Sequence, residues 1–267
     1  MTEYRIIDAH CHIYPDRIAG KAVEAVERFY DGLTGKPGKG TAEDLLSAGA
    51  EAGIDHYIIF SVATSAHQVD SINRFIAEKA QASNGKMTGL GTMHEDVEDM
   101  EAVIGSIRAL GLKGVKLHPD IQRFEADAPW AMDMYAACEG VLPVCLHTGD
   151  KRYDYSNPDR IARIAAAFPR LTLIAAHFGG WSVWEEAARV LSRYDNILVD
   201  CSSSLYALTP QTARTLVRLY GSERVLFGTD YPLWPARREV ERVMEMGLTE
   251  TELHNILHKN AERLYGL

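Results

Sequence analysis

The chain has 267 residues, 46% of them apolar and 24% charged, and 28 basic against 37 acidic side chains leave a formal charge of −9. That length suits one large barrel of about 250 residues better than two average domains, and the composition excludes a disordered chain. The acidic excess repels phosphate backbones and anionic lipid headgroups, which argues against a nucleic-acid partner.

The amino terminus reads MTEYRIIDAH, with no basic stretch leading into an apolar run. No later segment approaches the roughly 18 uncharged apolar residues of a membrane span. A cytoplasmic protein without a membrane partner is the expectation. Along the chain, short runs rich in Ile, Val and Leu alternate with longer amphipathic stretches, the pattern of strand-helix units around a parallel sheet. Strands are predicted near 5–12 (RIIDAHCH), 54–61 (IDHYIIFS), 87–93 (MTGLGTM) and 112–118 (LKGVKLH). Four more follow near 142–148 (LPVCLHT), 171–177 (LTLIAAH), 196–202 (NILVDCS) and 224–230 (RVLFGTD).

Apolar residues recur at three- and four-residue spacing in SINRFIAEKAQ (71–81), MEAVIGSIRAL (100–110) and PDRIARIAAAF (158–168), which predicts helices there. Eight such units imply a closed (β/α)8 TIM barrel of class α/β, a single domain over 1–267. An open doubly wound sheet would carry a glycine-rich phosphate loop after its first strand, whereas this strand ends in HCHIYP. The segment DGLTGKPGKG (31–40) lacks P-loop spacing and reads as a solvated loop, with a lid as the alternative. The last helical stretch, 249–267, is expected to lie on the outside of the barrel. The cysteines Cys11, Cys138, Cys145 and Cys201 show no CxxC pairing and read as reduced packing residues.

In a parallel barrel the active site lies at the carboxyl ends of the strands. His10 and His12 end the first predicted strand, His118 the fourth, His147 the fifth and His177 the sixth, and Asp230 ends the eighth. A lone strand-end histidine is usually a satisfied structural group, but so many imidazoles on one rim would repel one another if charged. A metal removes the conflict. His10 and His12 are two apart and face the interior together, with Cys11 between them turned to the helices. Adding His147 and Asp230 gives a nitrogen-and-oxygen set suited to zinc with a position left for water, and manganese or iron as substitutes.

The motifs IDAHCH, GVKLHP (114–119), PVCLHTG (143–149), IAAHFGG (174–180), RVLFGTDYP (224–232) and NAERLYGL resemble, in order and placement, those of the amidohydrolase superfamily, in its amidohydrolase-related branch, family 2. That resemblance implies a (β/α)8 barrel with a divalent metal held by His10, His12, His147 and Asp230. It gives His177 the role of second-metal ligand or substrate polariser. Members include hydrolases of amides, esters and lactones, and also decarboxylases and hydratases.

Around Lys116, KLHP resembles the KLYP of dihydroorotases, in which the lysine is carboxylated and bridges two metals. The alternative is a buried lysine paired with a carboxylate such as Asp8. Some decarboxylases of the branch carry a second histidine four residues after the sixth-strand one, and here that position is Trp181.

The expected activity is metal-dependent hydrolysis of an amide, ester or lactone in a small carboxylate-bearing substrate. Asp230 takes a proton from the attacking water and His177 steadies the oxyanion. His118, Arg152 and Tyr153 are expected to bind the substrate, Arg152 by its guanidinium fork. A lyase acting on an aromatic or dienoic acid is the rival, and a non-catalytic ligand-binding barrel the weaker third. A homo-oligomer is left open. Around the rim, His67, His94 and Tyr155 are further residues that either face solvent or touch substrate, and His254 with His258 read as a solvated helix face.

Overall fold

A computed structural model describes residues 4–33 and 37–267. Residues 34–36 of the expected loop or lid therefore lie outside the described residues. The first half runs β1 (Ile7–His12), α1 (Asp16–Phe29), α2 (Ala42–Ala52), β2 (His56–Phe60), α3 (Val69–Ala82), β3 (Met87–Gly89), β4 (Gly91–Thr92), α4 (Met100–Ala109) and β5 (Val115–Leu117). The second runs α5 (Pro119–Gln122), α6 (Pro129–Cys138), β6 (Val144–Leu146), α7 (Pro158–Ala167), β7 (Leu173–Ala175), α8 (Trp184–Leu191), β8 (Ile197–Asp200), α9 (Pro210–Tyr220), β9 (Val225–Leu226) and α10 (Ala236–Glu245). It ends in α11 (Glu250–His254), a π-helical turn at Asn255–Lys259 and α12 (Asn260–Tyr265).

All strand pairs are parallel, in the orders β1-β2-β3 and β4-β5-β6-β7-β8-β9. Both junctions are bonded. Leu90 N–H donates to Ile59 C=O at 2.9 Å and Gly91 N–H to Gly114 C=O at 2.8 Å, so β3 and β4 are one predicted strand interrupted at Leu90. At the other junction Ala9 N–H donates to Phe227 C=O at 2.8 Å and His12 N–H to Tyr231 C=O at 2.7 Å, closing the ring into the expected barrel.

Local sequence explains why the helices start where they do. Thr41, Asp99, Asn157 and Thr209 each accept a first-turn N–H, and α7 and α9 open on a proline whose missing N–H costs nothing there. Thr249 and Glu252 form a reciprocal capping box on α11. Among the described residues no helix is long and apolar enough to cross a membrane.

The terminal helix corrects one expectation. Ala261 and Tyr265 of α12 pack in one cluster with barrel-interior residues such as Ile7, Ile58, Leu90 and Ile174, so α12 seals the bottom of the barrel instead of lining its outside. An apolar interior layer needs cover at the end away from the site, and this helix supplies it. Asn260 secures it by donating to Ser222 C=O at 2.7 Å and Val225 C=O at 2.6 Å.

Outside the ring, α2 approaches β2 through Gly49, where an added Cβ would lie 2.0 Å from the buried Tyr57 hydroxyl. Gly49→Ala is therefore expected to lose about 1–3 kcal/mol by overpacking despite its better helix propensity. A denaturant midpoint equal to wild type would show that Tyr57 can move aside.

Candidate active site

A register shift in β1 between Asp8 and Cys11 sets the geometry of the floor. Ile7 and Ala9 pack in the interior cluster, Cys11 packs in the outer one, and His10 and His12 both meet the interior Phe60 ring edge-on at 5.0 and 4.8 Å. A bulge of this kind re-aims side chains beside a site. His118 and His147 follow directly on β5 and β6, while His177 and Asp230 stand beyond β7 and β9 in left-handed conformations with φ 60 and 57°. Non-glycine residues held there are strained, a cost of order 1–3 kcal/mol each that the surrounding hydrogen bonds must offset.

Asp230 Oδ1 lies 3.4 Å from His10 Nε2 and 3.6 Å from His12 Nε2. Its other oxygen accepts from the Ser203 hydroxyl, which accepts in turn from Trp234 Nε1–H at 2.8 Å. His10 Nδ1 is 2.9 Å from Asp200 Oδ2. A carboxylate there fixes the proton on Nδ1 and leaves the Nε2 lone pair facing Asp230. Asp200 Oδ1 also accepts from the backbone N–H groups of His177 and Ser202, both at 3.1 Å.

His177 Nδ1 lies 3.0 Å from the Ser202 carbonyl, so its proton sits there and Nε2 accepts from His147 Nδ1 at 3.0 Å. That leaves His147 Nε2 buried without a hydrogen-bond partner, 3.6 Å from Asp120 Oδ2. The His147 ring stacks on His118 at 3.9 Å. His118 Nδ1 accepts from Ile121 N–H at 3.2 Å, which makes its Nε2–H the donor to the Tyr30 hydroxyl at 3.0 Å.

Electrostatics follow from burial. Desolvation, aided by the Lys116 ammonium and neighbouring imidazoles, holds His10, His12, His118 and His147 well below the usual histidine range. His177 is lowered to about 4. Desolvation raises Asp230 to about 6 and Asp120 to about 7, against smaller lowering effects from the Ser203 and Ser156 hydroxyls. Neutral imidazoles beside a carboxylate are the form that a metal requires.

Among the described residues, ligand-capable atoms come within 4.8 Å of one another in His10–His177–Asp230, in His118–Asp120–His147 and in His10–Cys145–Asp200. The expected quartet is thus gathered in part. His10 and His12 each approach Asp230, and His177 joins His10 and Asp230 in the tight group, whereas His147 is turned toward His177 and Asp120. The residues still fit a divalent metal, because His10 Nε2 and His12 Nε2 each approach Asp230 Oδ1 and His147 offers a buried nitrogen with no partner.

Lys116 is fully buried, with Nζ 3.4 Å from His10 Nε2, 3.7 Å from Cys145 Sγ and 5.1 Å from the Phe60 ring centre. Asp8 is not its partner; that carboxylate accepts from Thr229 N–H at 2.9 Å and His10 N–H at 3.1 Å.

Above the floor opens a cavity of about 1140 Å³ lined by His10, His12, His118, His147, Tyr30 and Tyr153, among others. Arg152 is placed differently from the sequence expectation. Its fork closes on Asp150 at 2.7 and 3.0 Å, Nη1 reaches the Phe29 carbonyl at 2.7 Å, and the guanidinium lies over the Phe29, Tyr30, Tyr153 and Trp181 rings. A saturated guanidinium holds the end of α1 in place and has no fork left for substrate. Of the other rim residues, Tyr155 lines the cavity, whereas His67 lines a separate pocket and His94 accepts from Asp96 N–H at 3.2 Å. His254 and His258 bond each other at 3.1 Å on the terminal helical stretch.

Asp200, Asp120, Tyr30 and Ser203 escaped the sequence reading. Asp200 had a signal: it is the last residue of β8, so Asp230 is not alone as a strand-end carboxylate. Asp200→Asn is expected to weaken metal affinity by about 10–100-fold, the usual cost of losing a carboxylate behind a metal-bound histidine. Titration of the metal-stripped variant checks this, and wild-type affinity would show that His10 needs no such partner.

A sequence model of the family described as Amidohydrolase matches residues 7–267. No curated protein sequence matches the chain significantly. Among solved structures, an uncharacterised TIM-barrel protein from Bordetella bronchiseptica is similar at 24% identity and TM-score 0.82, with 98% of each chain covered. A 5-carboxyvanillate decarboxylase variant from Novosphingobium aromaticivorans, with bound manganese and 3-methoxy-4-hydroxy-5-nitrobenzoic acid, is similar at 16% identity and TM-score 0.75, covering 99% of this chain and 98% of that one. A Pseudomonas putida protein provisionally named a 2-pyrone-4,6-dicarboxylic acid hydrolase is similar at 21% identity and TM-score 0.68, covering 99% and 98%.

Proposed function

Given that the chain belongs to the amidohydrolase family, we propose that it is a metal-dependent hydrolase of a carboxylate-bearing ester, lactone or amide. One observation carries this reading: His10 and His12 line the large cavity and each approach Asp230, with His10 locked from behind by Asp200. His10, His12 and Asp230 would hold one divalent metal, with His147 as the fourth ligand; zinc is the first choice and manganese the second. When bound, the metal polarises the substrate carbonyl and makes water a stronger acid.

The chain's own groups supply the rest. Asp230, kept near neutral titration by burial, takes the proton from water and returns it to the leaving group. His177 keeps its proton on Nδ1 against Ser202 and offers Nε2 as an acceptor to His147, so it orients that imidazole and has no proton facing the substrate oxygen. The His118–Tyr30 pair stands at the cavity wall, where its donors can orient the substrate. Lys116 Nζ lies 3.4 Å from His10 Nε2, inside the same site.

Decarboxylation of an aromatic acid is the second reading, favoured by the ring-lined cavity, in which Tyr14, Phe29, Tyr30, Tyr153 and Tyr155 take part, and by the aromatic ligand in the decarboxylase neighbour. Against it, Trp181 fills the position of the second histidine and packs on Tyr30 at 5.1 Å.

The test is elemental analysis of purified protein, chelation, and restoration with zinc, manganese or iron. Each form is then assayed for cleavage of carboxylated esters, lactones and amides and for carbon dioxide release from aromatic acids. Hydrolysis restored by metal is the expected outcome. Carbon dioxide release alone would replace the reading with the lyase, and protein that takes up no metal would end both.

A further inference from the structure

The cavity holds more apolar wall than a metal-centred reaction needs. Ala19 and Val23 of α1 are buried in the protein, yet Ile18, Ala22, Val26 and Phe29 line the cavity opposite Ile72 and Phe75 of α3. Helix α1 thus has a second apolar face, and Ile18 on it is 44% exposed. A contiguous apolar wall left open to water is costly unless a ligand covers it. At about 1140 Å³ the space also exceeds the roughly 300–1,000 Å³ of ordinary small-molecule sites.

The charge on the lining has the opposite sign to that of the chain. Arg17, Arg123 and Asp120 are its charged residues, two cations against one carboxylate. Neither arginine side chain forms an ion pair or hydrogen bond with a described residue, unlike Arg152. Arg123 is moreover held in place through its backbone, although its side chain is exposed. Its backbone is left-handed at φ 63°, an arrangement that favours glycine. The preceding Gln122 donates to Ala63 C=O at 2.8 Å and Met93 C=O at 2.9 Å and accepts from His118 N–H at 2.8 Å. An exposed, unpaired arginine side chain carried on a strained, clamped backbone at the cavity wall is a functional-site signal.

We propose that Arg123, assisted by Arg17, is the anion-binding site of the cavity. The substrate it serves is an elongated carboxylate whose apolar part lies between α1 and α3. This rests on the hydrolase reading and extends it to a substrate class.

The test uses the metal-loaded protein with 11-(dansylamino)undecanoic acid and its neutral primary amide as fluorescent probes. The carboxylate is expected to bind about tenfold tighter than the amide or better, the worth of a charge-assisted hydrogen bond. Arg123→Gln should remove most of that preference and Arg123→Lys should restore part of it. Ala22→Trp should weaken both probes alike with metal content unchanged. Arg123→Gly should lose the preference while keeping or raising the Tm, because glycine relieves the left-handed backbone.

Equal binding of the two probes to wild type, an intact preference in Arg123→Gln, or unchanged binding in Ala22→Trp would each overturn the proposal. A Tm drop in Arg123→Gly with the preference intact would make Arg123 structural and overturn it too. Metal content is measured on every sample: metal-poor protein that still prefers the carboxylate sinks the hydrolase reading alone, and fully loaded protein without the preference sinks this one alone.

Discussion

Asp230→Asn is expected to keep part of its metal and to lose about 10²–10⁴ in turnover, the usual worth of general acid-base catalysis. The carboxylate sits with Oδ1 toward His10 and His12 and Oδ2 held by Ser203, so an amide oxygen can still face the two imidazoles. What it cannot do is accept a proton. The pH dependence of metal uptake should change as well. Burial raises Asp230 to about 6, so the group is ionised above that pH and protonated below it. Metal must displace the proton, and wild-type affinity should therefore fall as the pH drops through 6, a step the asparagine variant lacks. Near wild-type turnover in a metal-loaded Asp230→Asn protein would move the base elsewhere, with His177 the leading candidate.

The second large effect is loss of metal and activity together in His10→Ala and His12→Ala. Each removes a ligand, so the loss should exceed the roughly 10–100-fold cost of changing a residue behind a ligand. The two variants should differ in stability. The His12 side chain is 14% exposed and has no hydrogen-bond partner on Nδ1 among the described residues, so His12→Ala should melt close to wild type. His10 is 1% exposed and bonded to Asp200, and its removal leaves that carboxylate short of a donor, a cost of about 1–3 kcal/mol. Elemental analysis with circular dichroism melts decides. Full metal occupancy in both variants would remove the HxH pair from the site.

How far these residues were legible follows from the kind of signal each carried. The strands and the histidines at their ends could be read because a barrel repeats one pattern eight times and places polar residues where each apolar run stops. The interruption at Leu90 could not, since a break in hydrogen bonding leaves no mark in an unbroken apolar run. Parity predicted that His10 and His12 face inward together. It did not predict the register shift in β1 that lets Ile7 and Ala9 face inward too. Asp200 was hidden inside ILVDCS, where its role depends on lying across the barrel from a histidine 190 residues away. Arg152 looked like a free carboxylate clamp because nothing local shows that Asp150, two residues earlier, closes its fork. The terminal stretch read as one amphipathic helix, and the core it covers is a property of the assembled barrel.

The bond from His12 N–H to Tyr231 C=O has a kinetic consequence. One residue both presents an imidazole to the site and stitches the last strand to the first, so its amide hydrogen can exchange with solvent only when that seam parts. Deuterium uptake at His12 therefore reports opening of the ring itself, whereas uptake on α1 reports fraying of the cavity wall. If metal joins His12 to Asp230 across the seam, loading should slow exchange at His12 more than on α1, which would make a single amide a gauge of how firmly the two ends of the chain are held together.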